Sequence, residues 1–459
     1  MVLMGNGGQV VPASSDFWFL PLGGTGEIGM NMNLYGHAGQ WLMVDCGVSF
    51  DEPLNPDLPE AVKHHVVAPD PKFITDNLDL LAGLIITHAH EDHIGAVEDL
   101  WPRLKCPIYT TPYTAAVLRR KLSYTNFADK VRIIEVNDGE TVTIGAFQAT
   151  WIRLTHSLPD PYGILLETPA ARVVHTGDWK IDRDPVIGAP IDASALQQLA
   201  NIPVDAVVGD STNALKPGWS VSEAECFEGL LAETKRCEGR VVVGCFSSNI
   251  ARLVTLAKVA ERAGRRMAVF GRSLERHVAT ARAFGLWPDD LELITHQHVG
   301  YLPPHEVMVV ATGCQGEPRA ALSRLADDSH PMLAMDKGDT VILSAMVIPG
   351  NEAPIDTMKK KFSARGIAVI QKDDTELPIH ASGHPNQEEL KQLYRWLTPA
   401  VVIPTHGEPE HLKRHAEIAR EIGIKRTLTG VNGDLFRIAP IPSIRRKAVS
   451  TGRIPIARS

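Results

Sequence analysis

The chain has 459 residues, 44% of them apolar and 22% charged, and a formal net charge of −8. That length suggests two or three domains of roughly 100–200 residues each, with enough apolar material for a sizeable core. The charge excludes a general electrostatic pull toward nucleic acid, so a polyanion would need a local patch or bound cations, and no apolar run approaches the about 20 residues of a membrane span. The stretch Met1–Asp16 lacks the cationic start and apolar core of a secretory signal. Six cysteines are scattered without C-x-x-C spacing, which argues against a thiolate metal site or a disulfide framework and fits a reducing cytoplasm.

Read in order, the chain opens with a strand at Phe17–Leu20, a glycine turn, and a hairpin of Asn31–Tyr35 and Trp41–Val44. Dense proline from Pro53 to Pro71 reads as an excursion loop. A buried strand, Leu84–Thr87, leads into a histidine-rich loop and a helix from near Ile94 that should end by Pro102. Strands follow at Val131–Val136, Ala149–Leu154, Arg172–His175 and Val204–Val208, with a later one at Ala400–Ile403. Between Ser211 and Glu376 the pattern becomes alternating strands and helices: Val241–Cys245, helical Ile250–Gly264, then Arg266–Phe270, Val307–Ala311 and Thr340–Ser344. The histidine pattern resumes afterwards, so the middle reads as an insertion. From Ala439 the chain carries Pro440, Pro442 and the basic run Arg445, Arg446, Lys447, and reads as a linker or flexible tail.

The strongest chemical signal is His88-Ala89-His90-Glu91-Asp92-His93, directly after a strand. Two histidines one residue apart on a loop can aim at one cation, and an aspartate and histidine just beyond can turn toward a second. Imidazole with carboxylate suits zinc or manganese. His156, Asp178 and His406 each stand just past an apolar strand. Strand ends lie together on one edge of a sheet, so residues distant in sequence can converge there. By contrast, Gly24-Thr25-Gly26-Glu27-Ile28-Gly29 meets the letter of a dinucleotide fingerprint, but a hairpin rather than a helix follows it, which excludes nicotinamide binding. The pairs His296/His298 and His64/His65 lack a carboxylate at useful spacing and read as surface histidines.

The histidine motif with His156, Asp178 and His406 resembles the metallo-β-lactamase superfamily. The resemblance implies an αβ/βα four-layer sandwich. Asp210-Ser211-Thr212-Asn213 and His380-Ala381-Ser382-Gly383-His384 resemble its β-CASP branch of nucleases. Leu22–Gly29, Gly313-Cys314-Gln315-Gly316-Glu317-Pro318 and Ile348-Pro349-Gly350-Asn351-Glu352 narrow the resemblance to the ribonuclease J family, with cysteine at 314 where that family usually has serine. The α/β architecture it implies is a metallo-β-lactamase domain in two parts, 1–210 and 377–438, around a β-CASP insertion at 211–376, with a tail at 439–459.

Carried over by position, His88, His90 and His156 would hold one divalent metal; Asp92, His93 and His406 a second; and Asp178 would bridge them. Zinc is the default ion and manganese the alternative. Asp45 matches a structural aspartate that orients the histidine loop. His384 would donate the proton to the departing oxygen, Asp210 would orient it, and Asp92 counts among the catalytic carboxylates. His380, Ala381, Ser382, Gly383 and His384, with Ser247, Ser248 and Asn249, would contact the RNA backbone and a 5′-monophosphate; Asn249 also reads as a helix N-cap. Two cations would activate a water and clamp the phosphate oxygens. The implied activity is 5′→3′ exonuclease with endonuclease action, in the cytoplasm, with RNA as partner and no membrane. The family commonly carries a further C-terminal dimerisation domain, and this chain stops near the linker before it, so a homodimer or homotetramer is expected to be weakened. The rival readings are a DNA nuclease or small-molecule hydrolase of the same superfamily, and an inactive RNA-binding partner of an active paralogue.

Overall fold

The computed structural model describes residues 10–51, 65–348 and 350–456. Most of the proline-dense stretch, together with His64 and Pro349, lies outside them. Two large sheets face each other. The first has eight strands in the order Ser443–Arg445, Leu435–Ala439, Phe17–Gly23, Met32–His37, Gln40–Val44, Leu81–Ile85, Ile108–Thr110, Ile133–Glu135. The second has seven: Arg426–Thr427, Val401–Thr405, Ala206–Asp210, Arg172–His175, Tyr162–Glu167, Phe147–Arg153, Thr141–Ile144.

The side-chain alternation of a strand explains the layering. Phe17, Phe19, Tyr35, Leu42 and Val44 point inward and meet Phe147, Trp151, Ile164, Val173, Val208 and Ile403 of the other sheet. Their sequence neighbours Trp18, Leu20, Trp41 and Met43 point outward and pack with Leu100, Trp101 and Leu118 of the helices Val97–Leu104 and Pro112–Leu122. On the far side, Val174, Val207 and Val402 pack with Leu390, Leu393 and Ile418 of Gln387–Leu397 and Pro409–Glu421. The result is the four-layer αβ/βα sandwich. Strands buried on both faces read as continuous apolar runs, which is why they stand out in the sequence.

The chain leaves the seven-stranded sheet at Asp210 and returns in Val401–Thr405, which pairs in parallel with Ala206–Asp210. Between these neighbours lies an all-parallel five-stranded sheet, ordered Arg266–Phe270, Val307–Ala311, Val241–Gly244, Thr340–Leu343, Ala368–Gln371, with an apolar cluster on each face.

Two expectations are corrected. The helix after the histidine loop is split into Glu91–Ile94 and Val97–Leu104, and the second runs through Pro102. Burial of Leu100, Trp101 and Leu104 outweighs the one backbone bond that proline removes. The tail is not a flexible linker as far as Ile456: Ser443–Arg445 extends the eight-stranded sheet, and Arg453–Ile456 pairs with His65–Pro69. Two of its basic residues are committed, with Arg446 Nη1 2.7 Å from Asp434 and Arg453 Nη2 2.5 Å from Glu27.

Candidate metal centre

The strand Leu81–Ile85 lies between Gln40–Val44 and Ile108–Thr110, all parallel, and delivers the loop His88–His93 at its carboxyl end. Asp45 holds that loop. It is fully buried, in a left-handed conformation that aspartate tolerates. Its Oδ1 accepts the Thr87 backbone N–H at 2.8 Å, and its Oδ2 accepts the Thr87 hydroxyl at 2.9 Å. His93 Nδ1 lies 2.8 Å from the same Oδ2, which commits that nitrogen and leaves Nε2 for the centre.

His156 follows Phe147–Arg153, Asp178 follows Arg172–His175, and His406 follows Val401–Thr405. The structure brings all of them to one point. Ligand atoms of His88, His90, His156 and Asp178 lie within 4.8 Å of one another, and so do those of Asp92, His93, Asp178 and His406. Asp178 belongs to both groups: its Oδ2 is 3.8 Å from His88 Nε2 and 3.2 Å from His93 Nε2, while its Oδ1 is 2.9 Å from His406 Nδ1.

The donor set fits divalent cations. His90 Nδ1 lies 3.2 Å from His88 Nε2 and 3.0 Å from His156 Nε2, so three ring nitrogens crowd one point. Neutral imidazoles that close repel through their lone pairs unless a proton or a cation stands between them. Burial pushes the His88 and His156 imidazoles well below their ordinary pKa and His90 down to about 4, which favours the cation. In the second group burial acts downward too, but Asp178, Asp92 and Asp45 hold His93 well above its ordinary value. Asp178 is foremost in doing the same for His406. Burial raises the Asp92 and Asp178 carboxyls, yet the facing histidines carry both well below the carboxylate range.

His384 flanks this centre. Its Nδ1 is 2.8 Å from Asp210 Oδ2 and 3.8 Å from Asp178 Oδ2. Burial lowers its pKa, but Asp210 and Asp178 outweigh that and hold it above the ordinary imidazole value. Thr212 fixes Asp210 by donating its backbone N–H and hydroxyl to Oδ1 at 2.9 and 2.7 Å. The turn before His384 is tied to the same place: Asn213 Nδ2 donates to Ser382 Oγ at 2.8 Å and to the His384 carbonyl at 3.1 Å. The Gly383 carbonyl sits 2.5 Å from His156 Nδ1, orienting that ring as Asp45 orients His93. A Cβ on Gly383 would fall 2.5 Å from the His156 ring.

Both ring nitrogens of His380 are buried without a hydrogen-bond partner. Burial, then Arg252 and Lys216, push its pKa well down. Ala381 is buried. Ser247 and Ser248 are half-buried just before the helix Ile250–Arg262, and Asn249 is its N-cap, its side chain accepting the Arg252 backbone N–H at 2.9 Å. His296 and His298 lie in a single turn, His296–Tyr301, apart from every cluster of metal-capable side chains among the described residues.

The sequence rejects the glycine-rich loop as a dinucleotide site and marks it as a family motif, but does not reveal that it underpins the centre. The Gly24 carbonyl accepts the His406 backbone N–H at 2.6 Å, and the Asp92 carbonyl accepts the Asn31 N–H at 2.9 Å. Gly24 adopts φ +83, and a Cβ there would lie 2.3 Å from Asn31 Oδ1. Gly47 is tighter still, with its Cβ position 1.6 Å from the Asp92 carbonyl. The glycines that made a false cofactor motif were the available signal of close backbone approach.

Three family descriptions match the chain: a beta-lactamase superfamily domain over residues 40–205, the ribonuclease J beta-CASP domain over 238–362, and a Zn-dependent metallo-hydrolase RNA specificity domain over 378–428. Ribonuclease J of Sinorhizobium meliloti is 41% identical over 440 residues, covering 95% of this chain and 77% of that protein. The chain belongs to the ribonuclease J family. Ribonuclease J of Mycolicibacterium smegmatis is 37% identical, covering 88% of this chain and 71% of the relative. That of Thermus thermophilus is 33% identical, with 91% and 73% covered. A solved structure of a protein of unknown function from Enterococcus faecalis V583 superposes with a TM-score of 0.64 over 92% of this chain and all of that one, at 14% identity, a likeness of fold alone. As a member of that family the chain is a metal-dependent RNA nuclease, and its histidine and aspartate clusters fit divalent metal.

Proposed function

We propose that the enzyme binds two zinc ions, one held by His88, His90, His156 and Asp178 and the other by Asp92, His93, His406 and Asp178, and that it degrades RNA 5′→3′ from a 5′-monophosphate while also cutting internally. The observation that carries this is the shared Asp178, one buried carboxylate facing both histidine groups. Manganese fits the same donors and is the alternative ion. When bound, such a pair activates water and neutralises charge on the phosphate.

The chain's own groups supply the rest. His384, whose pKa Asp210 raises against the effect of burial, stands beside the centre as the donor for the departing oxygen. Asp92 serves as ligand and keeps His93 and His406 apart in charge, with Nε2 atoms 3.4 and 3.3 Å from its Oδ2. Ser247, Ser248 and the turn His380–His384 frame the approach, and the unpartnered His380 ring is the group we assign to the terminal phosphate. Asn249 contributes through its cap. The all-thiol cysteines fit a cytoplasmic enzyme, and no helix among the described residues is long and apolar enough to cross a membrane.

The test is digestion of end-labelled RNA carrying a 5′-monophosphate or a 5′-triphosphate, with zinc, with manganese and with chelator. Mononucleotides released first from the labelled 5′ end of the monophosphate substrate are expected. Equal internal cutting of both substrates, with no mononucleotide product, would refute the exonuclease reading.

A further inference from the structure

The most deeply buried guanidinium among the described residues lies outside the metal centre yet beside the turn that faces it. Arg252 is 0% exposed. Its Nε donates to Glu223 Oε1 at 2.6 Å and its Nη2 to Glu223 Oε2 at 3.1 Å, a forked pair. Its Nη1 donates to the Ile379 carbonyl at 3.1 Å and to the Ser344 carbonyl at 3.3 Å, and also reaches the Ser344 hydroxyl. Ser344 in turn donates to the Ile379 carbonyl at 2.7 Å. Ile379 immediately precedes the His380–His384 turn.

The other end of the network reaches the ligand loops. The Glu223 backbone N–H donates to Asp182 Oδ2 at 2.9 Å, and Ser222 donates to the same carboxylate's Oδ1. Asp182 pairs with buried Lys180 at 2.8 Å, and its backbone N–H donates to Thr155 Oγ1 at 3.0 Å. Thr155 adjoins His156, and Lys180 stands two residues after Asp178. The path closes where the Gly383 carbonyl meets His156. Buried polar contacts thus form a ring through both large units of the chain, touching the centre at His156 and Asp178 and the turn at Ile379.

Stability alone is a weak reason for such a pair, because a buried ion pair often does no better than well-packed apolar residues. What a guanidinium supplies and a lysine cannot is a rigid fork of donors that fixes several acceptors at once. We propose that Glu223 and Arg252 are positioning residues for RNA hydrolysis, holding the His380–His384 turn, and with it the scissile phosphate, at a set distance from the His156–Asp178 side of the metal centre. This rests on the reading of that cluster as the metal centre.

The test uses the full chain with Arg252→Lys and, separately, Glu223→Gln. Four quantities are read: metal per chain, thermal midpoint, affinity for 5′-monophosphorylated RNA with calcium as a non-activating ion, and the single-turnover cleavage rate with the activating metal. A misplacement near 1 Å slows reaction on the order of 100-fold. The expected result is a loss of that size in rate in both variants, with metal content unchanged and affinity within about threefold. Wild-type rates in either variant would overturn the proposal. So would a loss that tracks released metal or unfolded protein in both, since that marks a structural role. A wild-type chain that fails to cleave RNA would instead refute the ribonuclease reading.

Discussion

Metal uptake by this centre should release protons, and the count follows from its electrostatics. In the metal-free molecule burial lowers His88, His90 and His156, so at pH 7 all three are neutral ligands. Burial also opposes charge on His93 and His406, but their carboxylate neighbours, Asp178 first, hold both well above the ordinary imidazole value, so both are protonated. Asp92 and Asp178 are ionised already. Loading both cations therefore expels about two protons at pH 7. The sign is definite: lowering pH below these raised values adds competing protons, so the overall binding constant falls about 100-fold per pH unit, tenfold for each proton. Calorimetric titration of the metal-stripped protein in buffers of different ionisation enthalpy measures the count as the slope of observed heat. His406→Asn should reduce it to about one. A slope of zero at pH 7, or a binding constant indifferent to pH between 7 and 6, would refute the assignment of charge to His93 and His406.

Four further outcomes are expected. His384→Ala should keep its metal and lose 10²–10⁴-fold in cleavage rate. Asp210→Asn should move the alkaline limb of the pH–rate profile to lower pH, because Asp210 raises the His384 pKa and a proton donor fails as pH rises through that value; an unmoved limb would remove His384 as the donor. Asp45→Ala should weaken metal binding by about 10–100-fold through loss of the His93 and Thr87 contacts, measured by competition with a chromogenic chelator. Gly47→Ala should empty the centre in a still-folded protein, since its Cβ would overlap the Asp92 carbonyl; full metal content by elemental analysis would contradict the packing argument.

The centre was legible because its chemistry is concentrated and its scaffold repetitive. Four of its seven candidate ligands stand within His88–His93; of the other three, Asp178 and His406 follow strands buried on nearly every position, and His156 follows the alternating strand Phe147–Arg153. Arg172–His175 and Val401–Thr405 run parallel through Ala206–Asp210, and Phe147–Arg153, two antiparallel steps from Arg172–His175, points the same way, so their ends share one edge. The insertion was legible for the same reason, as strands alternating with helices. What sequence could not supply was pairing between distant polar groups. Nothing local couples Glu223 to Arg252, or the Gly383 carbonyl to His156. The tail was misread because Arg453–Ile456 is a four-residue strand whose partner, His65–Pro69, lies far back in the chain, so its stability is non-local. Asn249 reads in the sequence as a substrate contact, a helix cap or both, and the Arg252 N–H establishes the cap.

In the proposed two-cation centre one buried carboxylate, Asp178, belongs to both histidine groups. Anomalous diffraction at the zinc edge from metal-loaded crystals tests it most directly. The account predicts two peaks on either side of Asp178, one against His88, His90 and His156 and the other against Asp92, His93 and His406. A single peak, or peaks that leave Asp178 without contact to either ion, would contradict it.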